Sequence, residues 1–290
     1  MSGSAPDIAG GVGESRVKQA VASACLALLC VVWFTPVLAL LVTSFRTEAD
    51  ASTSGWWSVL FAPRFVIENY VDAIRITGVG RSLVNSIAVA VPTTIGTVLI
   101  SAIAAYSLAK MSFRGGVAVF LALVGLQVLP PQVVLVPMLK LANAVGINGT
   151  FVPVWIFEMG LTIPFGVFLL RGFFAGVPSE LIESARIDGA SELRIFLQIV
   201  LPLSGAVLAS LAILQFLIAW NHLLTPLIFL GGTSGLAPLT VQVAGLVQTE
   251  GGGMSLLTAA TFISIAVPLL IVIALQRYFV RGVLGGAVKG

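Results

Sequence analysis

Long stretches without a formal charge constrain this chain more than any other feature. Residues 19–45, 82–109, 115–139, 195–249 and 251–276 contain no Asp, Glu, Lys or Arg, and 141–170 contains only Glu158. A helix of about 20 apolar residues crosses a bilayer, so each run is long enough to do so. The run at 195–249 exceeds one crossing and turns Gly-rich after Leu230, which reads as one span followed by a loop. Composition agrees: 58% of residues are hydrophobic and 9% charged, against roughly 25% charged in soluble domains. The expected fold class is an all-α integral membrane protein with six transmembrane helices, at about 19–45, 82–109, 115–139, 150–171, 204–230 and 255–276. These form one membrane domain over 16–290, after a Gly/Ser-containing tail, 1–15, expected to be disordered.

Lys and Arg favour the cytoplasmic side of a membrane. With the N-terminus inside, ten basic residues fall on inner segments and five on outer ones, so both termini are placed in the cytoplasm. That bias accounts for the net charge of +3 without a nucleic-acid partner. The first run is too long for the h-region of a secretory signal, about 7 to 15 residues. Cys25 and Cys30 lie on different faces of one helix and form neither a bridge nor a metal pair; no metal site is expected. Pro130, Pro131 and Pro137 should kink or break the third span.

One polar island interrupts the apolar pattern. From Pro178 to Gln198 the chain carries Glu180, Glu183, Arg186, Asp188, Glu192 and Arg194, and then enters the membrane through Leu201 and Pro202. Pro178 suits a first helical position, and Glu180 and Glu183 place negative charge in the opening turns. Leu181, Ile182 and Ala185 supply an apolar edge. Asp188-Gly189 is a turn signal, and a second helix restarts near Ser191. The expected object is a helix-turn-helix over 178–202. Interfacial helices that rest on lipid are rich in Lys and Arg, whereas this island has four acids and two bases, so docking to a protein is the better reading.

Glu183-Ser184-Ala185, Asp188-Gly189 and Ile199-x-Leu201-Pro202 resemble the EAA loop of permease subunits in binding-protein-dependent ABC importers, with Ser184 where Ala is usual. The resemblance implies that Glu183, Ser184, Ala185, Arg186, Asp188, Gly189, Leu201 and Pro202 form a coupling helix held in a cleft of a cytoplasmic ATPase. Phe65-x-x-x-Asn69-Tyr70, Asn85-Ser86 and the C-terminal segment with Gly286, Val288 and Lys289 are similar to the smaller permease of the maltose-type carbohydrate branch. In that branch the C-terminal tail reaches into the ATPase dimer. Thr53-Ser54-Gly55-Trp56-Trp57 and Pro238-Leu239-Thr240-Val241-Gln242 further resemble subunits assigned to α-glucoside uptake. The implied partners are a second permease, two ATPase subunits, an extracytoplasmic sugar-binding protein and membrane lipid, in the inner membrane of a prokaryote.

No G-x-x-x-x-G-K-[ST] loop occurs, so ATP and Mg belong to the partner ATPase; this chain is read as a transport subunit, not an enzyme, with no cofactor of its own. An ion-coupled secondary transporter is the rival reading, with Glu158 as its intramembrane carboxylate, roughly 12 Å into the fourth span. An ABC permease for a non-sugar solute is another. Gly232-Thr233-Ser234-Gly235 resembles the rhomboid protease motif, with His222 as a base only twelve residues earlier. Sugars call for amides and aromatics, which makes Asn85, Gln127, Trp155, Glu158, Gln215, Trp220 and Asn221 candidates for a solute path. Each of these also has a structural reading as a packing or inter-helix hydrogen-bonding group. In Trp220-Asn221-His222 the branch usually has Asp where His222 stands. By the same resemblance, the segment 231–253 would reach into the docked binding protein, or else serve as a flexible connector.

Overall fold

A computed structural model describes residues 9–231, 235–248 and 253–287, with side chains over 18–231, 235–247 and 253–276. The chain divides into two compact units, residues 1–72 with 251–262 and residues 73–250 with 263–290. Among the described residues four helices are long and apolar enough to cross a membrane, or up to six if each of two bent helix pairs counts as one span.

The first unit contains α1 (Ala9–Ser44), α2 (Glu48–Thr53) and a 3-10 turn over Trp56–Leu60. The helix α1 begins inside the segment 1–15 expected to be disordered; residues 1–8 lie outside the described residues. Gly10, Gly11 and Gly13 weaken helix propensity there, but extending a helix that is already nucleated costs little. Past Ser44 the polar groups close on themselves. Arg46, 3% exposed, donates to the carbonyls of Asp50 at 2.6 Å and Ser54 at 3.0 Å. Asn69 donates to the carbonyls of Ser44 and Arg46, both at 2.8 Å, and the Tyr70 hydroxyl lies 2.6 Å from Ser44 Oγ. The Asn69-Tyr70 pair therefore caps the end of α1. Glu48 accepts the amides of Met254 and Ser255, both at 2.9 Å, and the Ser255 hydroxyl at 2.7 Å. A carboxylate thus meets the positive end of a helix dipole.

The second unit starts within α3 (Glu68–Arg75) and is built on α4 (Val79–Lys110) and α7 (Phe151–Ala175). Thr93, Thr97 and Ser101 recur every four residues along α4 and are fully buried. Thr97 Oγ1 lies 3.2 Å from Thr162 Oγ1, and Ser101 donates to the Ile163 carbonyl at 3.3 Å. A Cβ on Gly166 would collide with the Ser101 side chain. Small residues of this kind let two membrane helices approach closely and hydrogen-bond across the seam.

Between these helices lie α5 (Gly116–Leu126) and α6 (Pro131–Val145), bent by 98° where one span over 115–139 is expected from sequence. The break falls at Pro130, whose φ of −61° and missing N–H end the ladder. After α7 come α8 (Ser179–Ile187), α9 (Glu192–Ile195), a π-turn over Phe196–Val200, α10 (Leu201–Leu203) and α11 (Gly205–Asn221). The expected fifth span, 204–230, is interrupted at His222: α11 ends at Asn221 and α12 (Leu224–Leu230) follows. The segment 231–253 is not only a loop. It contains α13 (Leu239–Gln248), because Leu239 is fully buried and its amide donates to Ser86 Oγ at 2.8 Å. The last helix, α14, runs Met254–Ala287.

Candidate functional site

The polar island forms a helix-turn-helix. The helix α8 starts at Ser179, with Pro178 in the cap position one residue before the helix rather than inside it. It ends in a Schellman arrangement: Ala190 N–H bonds to the Ala185 carbonyl and Gly189 N–H to the Arg186 carbonyl, both at 3.0 Å. Gly189 has φ +78°, where a side chain would be strained. The chain restarts at Ser191, whose Oγ accepts the Arg194 amide at 3.3 Å as an N-cap. In the π-turn that follows, the Leu201 amide bonds to the Phe196 carbonyl. Pro202, with no N–H to offer, comes next, so the wide turn sits where the α-ladder is already interrupted.

One face of this loop is bound into its own bundle. Ile182, Ile195, Phe196 and Val200 are buried with Tyr106, Leu170 and Phe174. Tyr106 Oη donates to Glu192 Oε2 at 2.6 Å, and Arg186 Nε donates to Glu192 Oε1 at 2.7 Å. Arg186 also reaches the Lys110 carbonyl at 3.2 Å, while Lys110 Nζ donates to the Val177 carbonyl at 2.6 Å. The bonds from Arg186 and then Tyr106 outweigh the effect of burial and hold the Glu192 carboxyl below its ordinary range. Ala185 is half-buried against the same core. The opposite face is open: Glu183, Ser184 and Asp188 are exposed, beside Leu181 and Ile187, the latter 86% exposed. Sequence reasoning passed over Ile187. The signal was available, because Ile187 lies five residues after Ile182 and so about 140° round the helix from the buried edge.

The candidates for a solute path separate into different environments. Asn85 commits its amide to the carbonyls of Gly235 and Ala237, at 2.9 and 3.1 Å. Trp155 donates to the Ala88 carbonyl at 2.9 Å and Trp220 to the Ser264 carbonyl at 3.0 Å. Asn221 turns back on the Leu217 carbonyl at 2.8 Å, and Gln127 is exposed at the break after α5. Gln215 is buried with Nε2 unpartnered. Glu158, 1% exposed, meets His222 Nδ1 through Oε1 at 2.9 Å, and its Oε2 has no partner. His222 is the residue at which α11 breaks, and its carbonyl accepts Thr240 Oγ1 at 3.0 Å. Ser234 lies outside the described residues, as do Val288 and Lys289; Gly286 falls within α14.

Residues 96–285 match the family model described as "Binding-protein-dependent transport system inner membrane component". The osmoprotective compounds uptake permease protein GgtD of Synechocystis sp. is 43% identical over 262 residues, covering 89% of this chain and 88% of its own. The alpha-glucoside transport system permease protein AglG of Rhizobium meliloti is 44% identical over 255 residues, covering 86% of this chain and 67% of its own. A chain from a bacterial ABC transporter involved in import of the acidic polysaccharide alginate superposes with a TM-score of 0.78 at 18% identity, over 96% of this chain and all of that one. At that identity the last comparison speaks to fold alone.

Proposed function

The chain belongs to the family of binding-protein-dependent transport system inner membrane components, and from that premise we propose that it is the permease subunit of an ATP-driven sugar importer working by alternating access. Permeases of this family act with ATPase and substrate-binding partners, which leaves the ion-coupled carrier and the protease readings without support. In this chain the partners would be a second permease, two ATPases that hold ATP and Mg, and an extracytoplasmic sugar-binding protein. Both termini and the 178–202 loop would face the cytoplasm, the side that the Lys/Arg bias favours.

One observation carries the reading: the two faces of the loop are chemically divided. Ile182 and Ile195 anchor it to the bundle, and Leu181, Glu183, Ser184 and Ile187 are left open for a partner. ATPase closure acting on the open face would pass through the buried face into α4 and α7 and rock the bundle between inward and outward states. Gly286, Val288 and Lys289 would add a second contact with the ATPase. The solute belongs to the α-glucosides or similar oligosaccharides, on the strength of the 44% identity to an α-glucoside permease; the 43% identity to an osmoprotectant permease supports a second reading, a compatible solute. The solute path would run past Glu158, Gln215 and the break at His222, where unpaired polar atoms lie inside an apolar bundle.

The test is cross-linking in an assembled, transporting complex. Ile187→Cys is expected to cross-link to the ATPase and Ile182→Cys is not. An Ile187→Cys complex that hydrolyses ATP and transports but never cross-links rules out the docking face. A screen of disaccharides and osmoprotectants for stimulated ATP hydrolysis then separates the two solute readings.

A further inference from the structure

Leu108, residues 111–114 and residues 116–117, where α4 passes into α5, join Arg171 of α7 around an open cavity of ≈ 440 Å³, within the roughly 300–1,000 Å³ range of small-molecule sites. Its walls divide by chemistry. Met111, Phe113 and Val117 form an apolar rim, 42, 48 and 69% exposed. Arg114 and Arg171 supply two guanidinium groups, and no carboxylate lines the cavity. The Arg171 guanidinium carbon lies 4.2 Å over the Phe120 ring, yet its buried Nε has no hydrogen-bond partner. A buried N–H without an acceptor is costly enough to indicate a missing one. Gly115 gives α5 no side-chain cap, and the Gly116 amide turns back on the Phe113 carbonyl at 3.3 Å.

The missing group must offer several anionic oxygens to two forked donors and carry an apolar body across an exposed rim. A phosphodiester with no ammonium beside it meets the first demand, because guanidinium groups bind phosphate in a bidentate manner and a lining with two arginines and no carboxylate repels a choline cation. Acyl chains meet the second. The cavity also lies at the ends of two membrane-crossing helices, the depth at which headgroups sit. We propose that this cavity binds the phosphate of an anionic phospholipid from the leaflet on the side of the 178–202 loop. The lipid would bridge the end of α4 to α7 beside Lys110, which holds the Val177 carbonyl at 2.6 Å at the root of the loop. This inference rests on membrane-family membership and not on the identity of the solute.

The test is native mass spectrometry of the complex purified with its partner subunits, exposed separately to phosphatidylglycerol, phosphatidylcholine or inorganic phosphate. Wild type is expected to retain one more phosphatidylglycerol per copy of this chain than Arg114→Gln/Arg171→Gln, with an affinity about tenfold higher, and to retain phosphatidylcholine no better than the variant does. Arg171 packs on Phe120, so loss of folding in the double variant is covered by Arg114→Gln alone, at an exposed position, where a threefold to fivefold loss of about one contact is expected. Equal retention of phosphatidylglycerol by wild type and Arg114→Gln overturns the site. Occupancy by inorganic phosphate with no lipid retained overturns the membrane source.

Discussion

Glu192 takes the Arg186 Nε–H on one oxygen and the Tyr106 hydroxyl on the other, and these bonds keep its carboxyl ionised below the ordinary range. A carboxyl whose folded pKa is lowered stabilises the fold above its unfolded value, and the contribution fades as pH falls through the folded one. The protection factors of the amides over 179–195, exchange taken against the intrinsic rate at each pH, are therefore expected to fall as pH drops below 4.5, and Glu192→Gln to flatten that dependence. The effect is small, at most about 1 kcal/mol, because both partners of the Arg186–Glu192 pair are more than a third exposed. The Glu158–His222 pair behaves differently, since Glu158 is 1% exposed. His222→Ala would leave a buried carboxyl with neither oxygen paired and is expected to cost on the order of 3 kcal/mol. Glu158→Leu/His222→Leu should recover most of that, as read by thermal unfolding in detergent; a double variant no more stable than His222→Ala contradicts the pairing. Glu158 and His222 are each visible in sequence as intramembrane oddities, but their 64-residue separation gives no sign that they meet.

At the scale of elements, the contact between α4 and α7 depends on side-chain size. Gly166 gives room to the Ser101 side chain, and Gly96 to Met159. Gly166→Ala is expected to lower stability by about 1–3 kcal/mol through overpacking, and a second change, Ser101→Gly, to restore part of it. An unchanged melting temperature for Gly166→Ala would show that the seam is looser than its geometry. The same scale shows where sequence patterning stops. Pro130 marks the break after α5 openly, since proline ends a ladder wherever it falls. The break at His222 is marked as well, because Pro226 in the first turn of α12 has no N–H for the His222 carbonyl four residues back, which accepts Thr240 Oγ1 instead; α13, by contrast, lies in a region whose glycines read as loop. Burial of Leu239 and its bond to Ser86 decide that segment, and both come from another part of the chain.

For the molecule as a whole, the proposed work of the loop is to carry force, which makes its stiffness the property to perturb. Gly189→Pro removes the amide bonded to the Arg186 carbonyl and cannot adopt φ +78°. It is expected to uncouple ATP hydrolysis from uptake while the bundle stays inserted; Gly189→Ala, costing about 1–2 kcal/mol of left-handed strain, should weaken coupling without abolishing it. Uptake and hydrolysis measured together in vesicles distinguish a stalled ATPase from an uncoupled one, and normal coupled transport by Gly189→Pro would refute the role of the turn. Sequence by itself determined the membrane class, the number of apolar runs and the Asp188-Gly189 elbow, because hydrophobic length and positive φ at glycine are local properties. Tertiary structure alone decided that Asn85 serves backbone carbonyls and that Glu158 meets His222. The spans are apolar nearly all round, so they carry no amphipathic signal of which face meets which neighbour; that information exists only once the helices have packed.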